Sequence, residues 1–186
     1  MTAKEQEQLR YNATIGQFVR DFELFVDAMR DFIFECFKIN GLKNKRLAEI
    51  MVSELTARPI LDLIRPIFQV SYPSQKDAKK EIDNFIKPLY QLIEDRNLII
   101  HGFHVGFGAE GVGSYPIKKK KTQQKGLRVD IGIIDITLLN AYLCYLNSTH
   151  RTFRGMRQQL GSEKGIMKII KTFRVDHPPE ISLAKN

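Results

Sequence analysis

The chain has 186 residues, 43% of them hydrophobic, which is enough for one domain with a buried core. No apolar run reaches the roughly 18 residues of a membrane span, and the first residues do not resemble a secretory signal, so we expect a cytoplasmic protein with no membrane partner. The formal net charge is +8: residues 1–111 hold 15 basic and 16 acidic side chains, whereas residues 112–186 hold 14 and 5. This concentration of positive charge favours a polyanion, above all nucleic acid, as partner, although charge that serves only solubility gives the same pattern.

The first third of the sequence predicts long amphipathic helices. Residues 4–39 carry one apolar band, and because a straight helix of that length would span roughly 54 Å, we expect a break near residues 12–16. Residues 43–69 predict a second helical region, which Pro59 and Pro66 divide or kink because proline lacks an N–H and restricts the preceding residue. The side chains predicted to face inward from this region are Leu47, Ile50, Met51, Leu55, Leu61, Ile64 and Phe68.

A third helix is predicted from about Gln75 to His101, with Gly102 ending it. Its predicted apolar face consists of Ile82, Phe85, Ile86, Leu89, Ile93 and Ile100. Arg96, Asn97 and His101 fall in the last turn and a half of this helix and are predicted to interrupt that face. An unpaired guanidinium buried there would cost several kcal/mol. The charge must therefore be paired inside the protein, or the end of the face must open onto a cleft or a partner subunit.

The composition changes after the third helix, where glycines, lysines and alternating apolar residues replace the helical pattern. Residues 103–132 predict a β-hairpin or an irregular flap that carries four consecutive lysines. A fourth helix is expected to begin at Asp135 or Thr137 and to end near Leu160. A short helix is predicted over residues 164–172.

These elements predict an all-α fold, an up-and-down helical bundle of four to five helices with a small β-hairpin or flap inserted near residues 103–132. The bundle with its flap is expected to occupy residues 1–160, and residues 161–186 to form the short helix and a loose tail. Cys36 and Cys144 lie among apolar helical residues, and we interpret both as reduced core residues.

The polar residues at the end of the third helix offer the chemistry for cutting RNA without a metal. No group of His, Cys and acidic residues has the spacing of a metal site, and no cofactor is expected. His101 can take the proton of a ribose 2′-OH or give one to the leaving oxygen. Arg96 can hold the phosphate and offset its developing charge, and Asn97 can orient the imidazole or the phosphate. A symmetric dimer would supply the second acid or base that the reaction needs.

The basic residues after the third helix are the candidates for binding the RNA chain. Arg151 and Arg154 share one face of the fourth helix, which can equally be a solvated surface. The predicted RNA-binding residues are Lys118, Lys119, Lys120, Lys121, Lys125, Arg128, Arg151 and Arg154.

The segment Arg96-Asn97-Leu98-Ile99-Ile100-His101 resembles the R-x(4–6)-H motif of the HEPN superfamily, in the form that has Asn after the Arg. The resemblance covers about residues 10–160. It implies an up-and-down bundle, a homodimer with a composite site, and a metal-independent endoribonuclease, often in toxin–antitoxin, phage-defence or RNA-processing settings. It also implies an antitoxin or nucleotidyltransferase partner for some members. Toxins that an adenylylating partner regulates carry Tyr two residues after the His, where this chain has Phe103.

Two other interpretations remain open at this stage. In the first, the chain is a catalytically inactive HEPN-like module that binds RNA or another protein. In the second, Arg96 is paired inside the protein, for instance with Glu94 or Asp95, and His101 is a core histidine whose hydrogen bonds are satisfied.

Overall fold

The computed structural model of the protein describes residues 1–72, 78–101, 103–104, 116–122, 126–132, 134–172, 178–181 and 183–184, and for the strand residues it describes the backbone only. Most of these residues are helical, as the sequence predicts. The helices among them are α1 (Ala3–Ile39), α2 (Lys45–Ser53), α3 (Ala57–Ser71), α4 (Ala78–His101), α5 (Ile136–Gln158) and α6 (Glu163–Thr172). The strands are β1 (Phe103–His104), β2 (Pro116–Thr122), β3 (Gly126–Gly132) and β4 (Leu183–Ala184). They pair antiparallel in the order β1-β2-β3-β4.

The up-and-down order of the helices, the domain boundary after residue 160 and the flap stay predictions. β2 and β3 are paired from Ile117 opposite Ile131 to Thr122 opposite Gly126. Residues 105–115 and 123–125 of the predicted flap lie outside the described residues. Across the described helices, none has the sustained apolar stretch that crossing a bilayer requires.

Polar side chains cap several helices at their first turn. Thr2 N–H donates to Glu5 Oε2 at 2.7 Å and Glu5 N–H donates to Thr2 Oγ1 at 3.3 Å, which is a capping box at the start of α1. Asn44 Oδ1 accepts from the amide three residues later at 3.0 Å, and Asp135 Oδ1 does the same at 2.7 Å. The predicted start of the fourth long helix at Asp135 is thereby confirmed.

α1 runs unbroken for 37 residues, so the predicted break near residues 12–16 is wrong. Gly16 has open space around it, and Tyr11 and Phe18 are both buried, so the apolar spacing continues through this point. The prediction of a break rested on the length of the helix, which is long for one small domain. Instead the chain forms two compact units, and α1 contributes to the core of each, up to Asp21 in one and from Phe22 in the other.

Each compact unit has its own aromatic core. The residues of the first unit are 1–21, 94–145 and 179–186, and those of the second unit are 22–93 and 146–178. The second core is built around Phe153, whose ring centroid lies 5.9 Å from Phe25, 5.9 Å from Phe32 and 5.4 Å from Phe85. These separations are within the range in which aromatic pairs stabilise a core beyond the apolar area that they bury.

In the first unit, the C-terminal segment is attached to α5. Tyr142 is completely buried, and its ring meets Phe18 edge-on at 5.9 Å between centroids. Its hydroxyl lies 2.5 Å from the carbonyl oxygen of Pro179, and β4 pairs with β3. The predicted loose tail is therefore wrong for the described residues 178–181 and 183–184.

The second predicted helical region consists of two helices, but the break between them lies ahead of both prolines rather than at either one. α2 and α3 are separated by residues 54–56. Pro59 lies in the first turn of α3, where a missing N–H costs no helical hydrogen bond, and Pro66 lies within the same helix.

The predicted inward face is wrong for α2. Ala48 and Val52 are the residues that this helix buries, whereas Leu47, Ile50 and Met51 are exposed. The periodicity identified one apolar face of α2. The other side of the helix also carries apolar residues, the smaller Ala48 and Val52, and these are the ones that are buried.

The two cysteines are both free, and they differ in burial. Cys36 is buried, and this burial together with the nearby Glu35 raises the pKa of its thiol to about 12. Cys144 is exposed. The prediction of a core cysteine is confirmed for Cys36 and wrong for Cys144.

Candidate functional site

The candidate site occupies the end of α4, where the buried face differs from the predicted one. In this turn the buried side chains are Asp95, Leu98 and Ile99, whereas Asn97 and His101 are exposed. Arg96 and Ile100 are half-buried. The prediction that Arg96, Asn97 and His101 interrupt a buried face is therefore wrong. α4 belongs to the second unit up to residue 93 and to the first unit from residue 94. Leu89 and Ile93 are buried before this point, and the residues buried after it lie on a different side of the helix.

The exposure of Asn97 and His101 changes how their positions are explained. Because Asn97 and His101 face solvent, no cleft or partner is needed to account for them. The interpretation of His101 as a core histidine is also wrong, since its side chain is exposed. A large ligand can therefore reach these side chains from solvent.

The structure brings Arg96, Asn97 and His101 into direct contact. Arg96 Nη1 lies 3.2 Å from Asn97 Oδ1 and 3.2 Å from His101 Nε2. One guanidinium nitrogen carries two N–H groups, so it can donate to both acceptors at once. The long Arg96 side chain reaches five residues along the helix to do so.

The contact between Arg96 and His101 is made through Nε2 of the imidazole. A guanidinium only donates, so Nε2 accepts this hydrogen bond in the tautomer that leaves it a lone pair. The nitrogen that would accept a substrate proton is thus the one that Arg96 contacts in the free protein.

Sequence reasoning did not identify the buried pair beside this site. Asp95 is 5% exposed, and the Tyr142 hydroxyl lies 2.8 Å from its Oδ2. Burial, followed by the charge of Asp95 and the hydrogen bond to it, raises the pKa of Tyr142 well above its usual value. Because Asp95 immediately precedes Arg96, this contact fixes the turn of α4 that carries the candidate site. Nothing in the sequence pairs residues 47 positions apart, so no local signal marks this contact.

The predicted RNA-binding residues are only partly described. Arg151 and Arg154 are exposed on α5, in the second unit, and neither forms an ion pair with another described residue. Arg157, one turn further, instead pairs with Asp31 at 2.5 Å. An exposed basic face on α5 is therefore confirmed, while its use in RNA binding stays a prediction.

The other predicted RNA contacts cannot be placed as side chains. The backbones of Lys118, Lys119, Lys120, Lys121 and Arg128 lie in β2 and β3, with Lys120 opposite Arg128 in the register. Lys125 lies outside the described residues.

A search of the described residues for three or more His, Cys, Asp or Glu side chains able to hold a metal ion finds no such group. Comparisons of the chain with protein-family models, with curated proteins and with solved structures find no match.

Proposed function

We propose that the protein is a metal-independent endoribonuclease of HEPN type, which cleaves RNA by attack of a ribose 2′-OH on the adjacent phosphate. The observation that supports this most is the pair of 3.2 Å contacts that Arg96 Nη1 makes with Asn97 and His101 at an exposed helix end. A cation, an amide and an imidazole then meet where a phosphodiester can approach. The products are a 2′,3′-cyclic phosphate and a free 5′-OH.

Each of the three side chains has a role in this reaction. His101 Nε2 takes the proton of the 2′-OH as the new O–P bond forms. Arg96 donates to the phosphate oxygens, on which negative charge grows as five bonds form around phosphorus. Asn97 lies beside the guanidinium and orients it or the phosphate. A bound phosphate also draws Arg96 away from His101 Nε2, which frees that nitrogen for the 2′-OH.

The leaving 5′-oxygen needs a proton from a second group. His101 cannot donate this proton while it is accepting the first, so the acid comes from elsewhere. In the proposed homodimer, two copies of the α4 end meet about a two-fold axis, and His101 of the partner subunit protonates the leaving group. The predicted up-and-down bundle with a basic flap over residues 103–132 belongs to this same proposal.

The proposal extends to partners and setting. RNA is the substrate, and the exposed Arg151 and Arg154, together with the basic residues of the flap, bind its backbone. We place the enzyme in the cytoplasm, as a toxin or phage-defence effector, with an antitoxin or a nucleotidyltransferase as a candidate partner. Residue 103, two residues after His101, is Phe rather than Tyr, which argues against regulation by adenylylation at that position.

Cleavage of single-stranded RNA in the presence of EDTA tests this function. The purified protein is expected to produce 2′,3′-cyclic phosphate ends, which mass spectrometry identifies. His101→Ala should reduce the rate at least a hundredfold, because it removes the base and, in the partner subunit, the acid. Circular dichroism and sedimentation should stay unchanged, because the side chain is exposed. The matched control is His150→Ala, a histidine on α5 outside the site, which should cleave like the wild type. Cleavage that requires added magnesium would contradict the proposal.

The exposed basic face of α5 favours a second candidate, an inactive HEPN-like module that binds RNA. For this candidate the protein should bind RNA and leave it intact. Replacing Arg151 and Arg154 with Gln should weaken binding and reduce the slope of log affinity against log salt by about 1 to 2. A salt dependence that is unchanged in this double variant would remove α5 from the contact surface.

A further inference from the structure

Exposed apolar side chains are concentrated at and just before α2. Nine large hydrophobic side chains of the described residues are exposed, and five of them fall within thirteen consecutive residues. These five are Ile39, Leu42, Leu47, Ile50 and Met51. On α2 itself the exposed fractions are 48% for Leu47, 55% for Ile50 and 57% for Met51. Clusters of this kind on a protein surface mark sites of association.

The charges on α2 are placed against its own helix dipole. Arg46 lies in the first turn and Glu54 is the C-cap, and both are exposed. A helix favours acidic side chains at its N-terminus and basic ones at its C-terminus, so each of these two charges is at the less favourable end. Arg46, Ile50 and Glu54 are four residues apart, which aligns them along one outward side of the helix.

We propose that α2 is a self-association surface, on which a second copy of this chain packs its own α2 antiparallel about a two-fold axis close to Ile50. In that arrangement Arg46 lies opposite Glu54 of the partner subunit, and the symmetry repeats the pair on the other side of the axis. Ile50 meets the partner's Ile50, and Leu47 and Met51 are covered from water on either side. Each charge then also lies near the end of the partner helix whose dipole favours it.

The charge pattern distinguishes a second copy from other occupants. A nucleic acid or an anionic lipid surface would meet the carboxylates of Glu49 and Glu54, which are both exposed. A stripe with a basic end, an apolar centre and an acidic end complements itself only when the second stripe runs in the opposite direction. Self-association by a two-fold axis is the arrangement that uses all three parts of this stripe.

Sedimentation of the full-length protein over a range of concentrations tests this surface. Arg46→Glu places two Glu opposite two Glu, and Glu54→Arg places two Arg opposite two Arg, so each variant alone should associate at least tenfold more weakly than the wild type. An equal mixture of the two variants should restore association, because each interface then contains two opposite-charge pairs. This recovery depends on the antiparallel register, which a merely sticky apolar patch does not provide.

Two further variants complete the experiment. Ile50→Asp introduces a charge on the axis and should abolish the association through α2, while Glu7→Arg, a charge reversal at an exposed position of α1, should leave that association unchanged. A wild-type protein that stays monomeric at millimolar concentration overturns the proposal, and so does a mixture of the two charge variants that stays dissociated. A dimer of the α4 ends would persist in Ile50→Asp, so the readout is the association beyond it, and an Ile50→Asp variant that sediments like the wild type at every concentration overturns the pairing through α2. Charge variants that associate like the wild type reject only the α2 surface, whereas a wild type that stays monomeric also contradicts the proposed dimer of α4 ends, and RNA cleavage is a separate readout that distinguishes the two failures.

Discussion

Replacing Tyr142 with Phe removes one hydroxyl from the core of the first unit and leaves the aromatic ring in place. The ring keeps its edge-on contact with Phe18 at 5.9 Å, so the change isolates the polar contacts. The hydroxyl lies 2.8 Å from Asp95 Oδ2 and 2.5 Å from the Pro179 carbonyl oxygen. One O–H carries one proton, so Asp95 and Pro179 share a single donor.

The expected loss follows from the burial of the two acceptors. Asp95 is 5% exposed, so water cannot readily replace the lost donor, whereas Pro179 is half-buried and can be solvated. A hydrogen bond to a charged group contributes about 1.5–3 kcal/mol, and a buried acceptor that loses its donor costs about 1–3 kcal/mol. We therefore expect Tyr142→Phe to lower the free energy of unfolding by about 2 kcal/mol. For a chain of this length, that lowers the Tm by roughly 4–8 °C.

Urea unfolding followed by circular dichroism measures this change. The matched control is Tyr90→Phe, because the Tyr90 hydroxyl donates to Asp62 where water can replace it, and that variant should lose less than about 1 kcal/mol. If Tyr142→Phe unfolds within about 0.5 kcal/mol of the wild type, the Tyr142 hydroxyl does not stabilise the buried Asp95, and the reasoning is refuted.

Two other predictions concern the thiols and the pH dependence of stability. With a thiol reagent at pH 8, Cys144 should react rapidly, whereas Cys36 should react only on unfolding, because it is buried and its pKa is raised to about 12. Rapid reaction of both thiols in the native protein would contradict the burial of Cys36. Burial, then the hydrogen bond to Asp62, raises the pKa of Tyr90 to about 12 from 10. The folded protein then keeps a proton that the unfolded chain releases between pH 10 and 12, so stability should fall as pH rises through this window, and less steeply in Tyr90→Phe. Equal slopes for the two proteins would argue against the shift.

Local signals in the sequence were sufficient to predict where most helices lie. They did not predict contacts between residues that are far apart in the sequence. Asp135 precedes an apolar periodic segment, and the capping role that this order predicts is observed. Leu47, Ile50 and Met51 were predicted to be buried because periodicity identifies an apolar face without identifying what covers it. The same limit explains Cys144, which lies among apolar residues and is nevertheless exposed.

The candidate site was found for a reason that is only partly correct. The R-x(4–6)-H motif identified Arg96, Asn97 and His101 as candidate site residues, and Arg96 contacts both of the others. The predicted buried face was wrong, because the buried side of α4 changes after residue 93 and a single helical periodicity cannot represent that change. The link from Asp95 to Tyr142 depends on the tertiary fold alone.

The attachment of Pro179 to Tyr142 has a practical consequence for anyone who trims or tags this protein. A version that stops at residue 178 removes an acceptor of the Tyr142 hydroxyl and the strand that pairs with β3. Such shortened proteins should unfold more easily, and a loss of activity in them would report on folding rather than on chemistry. A purification handle is better placed ahead of Met1, where the neighbouring side chains face solvent.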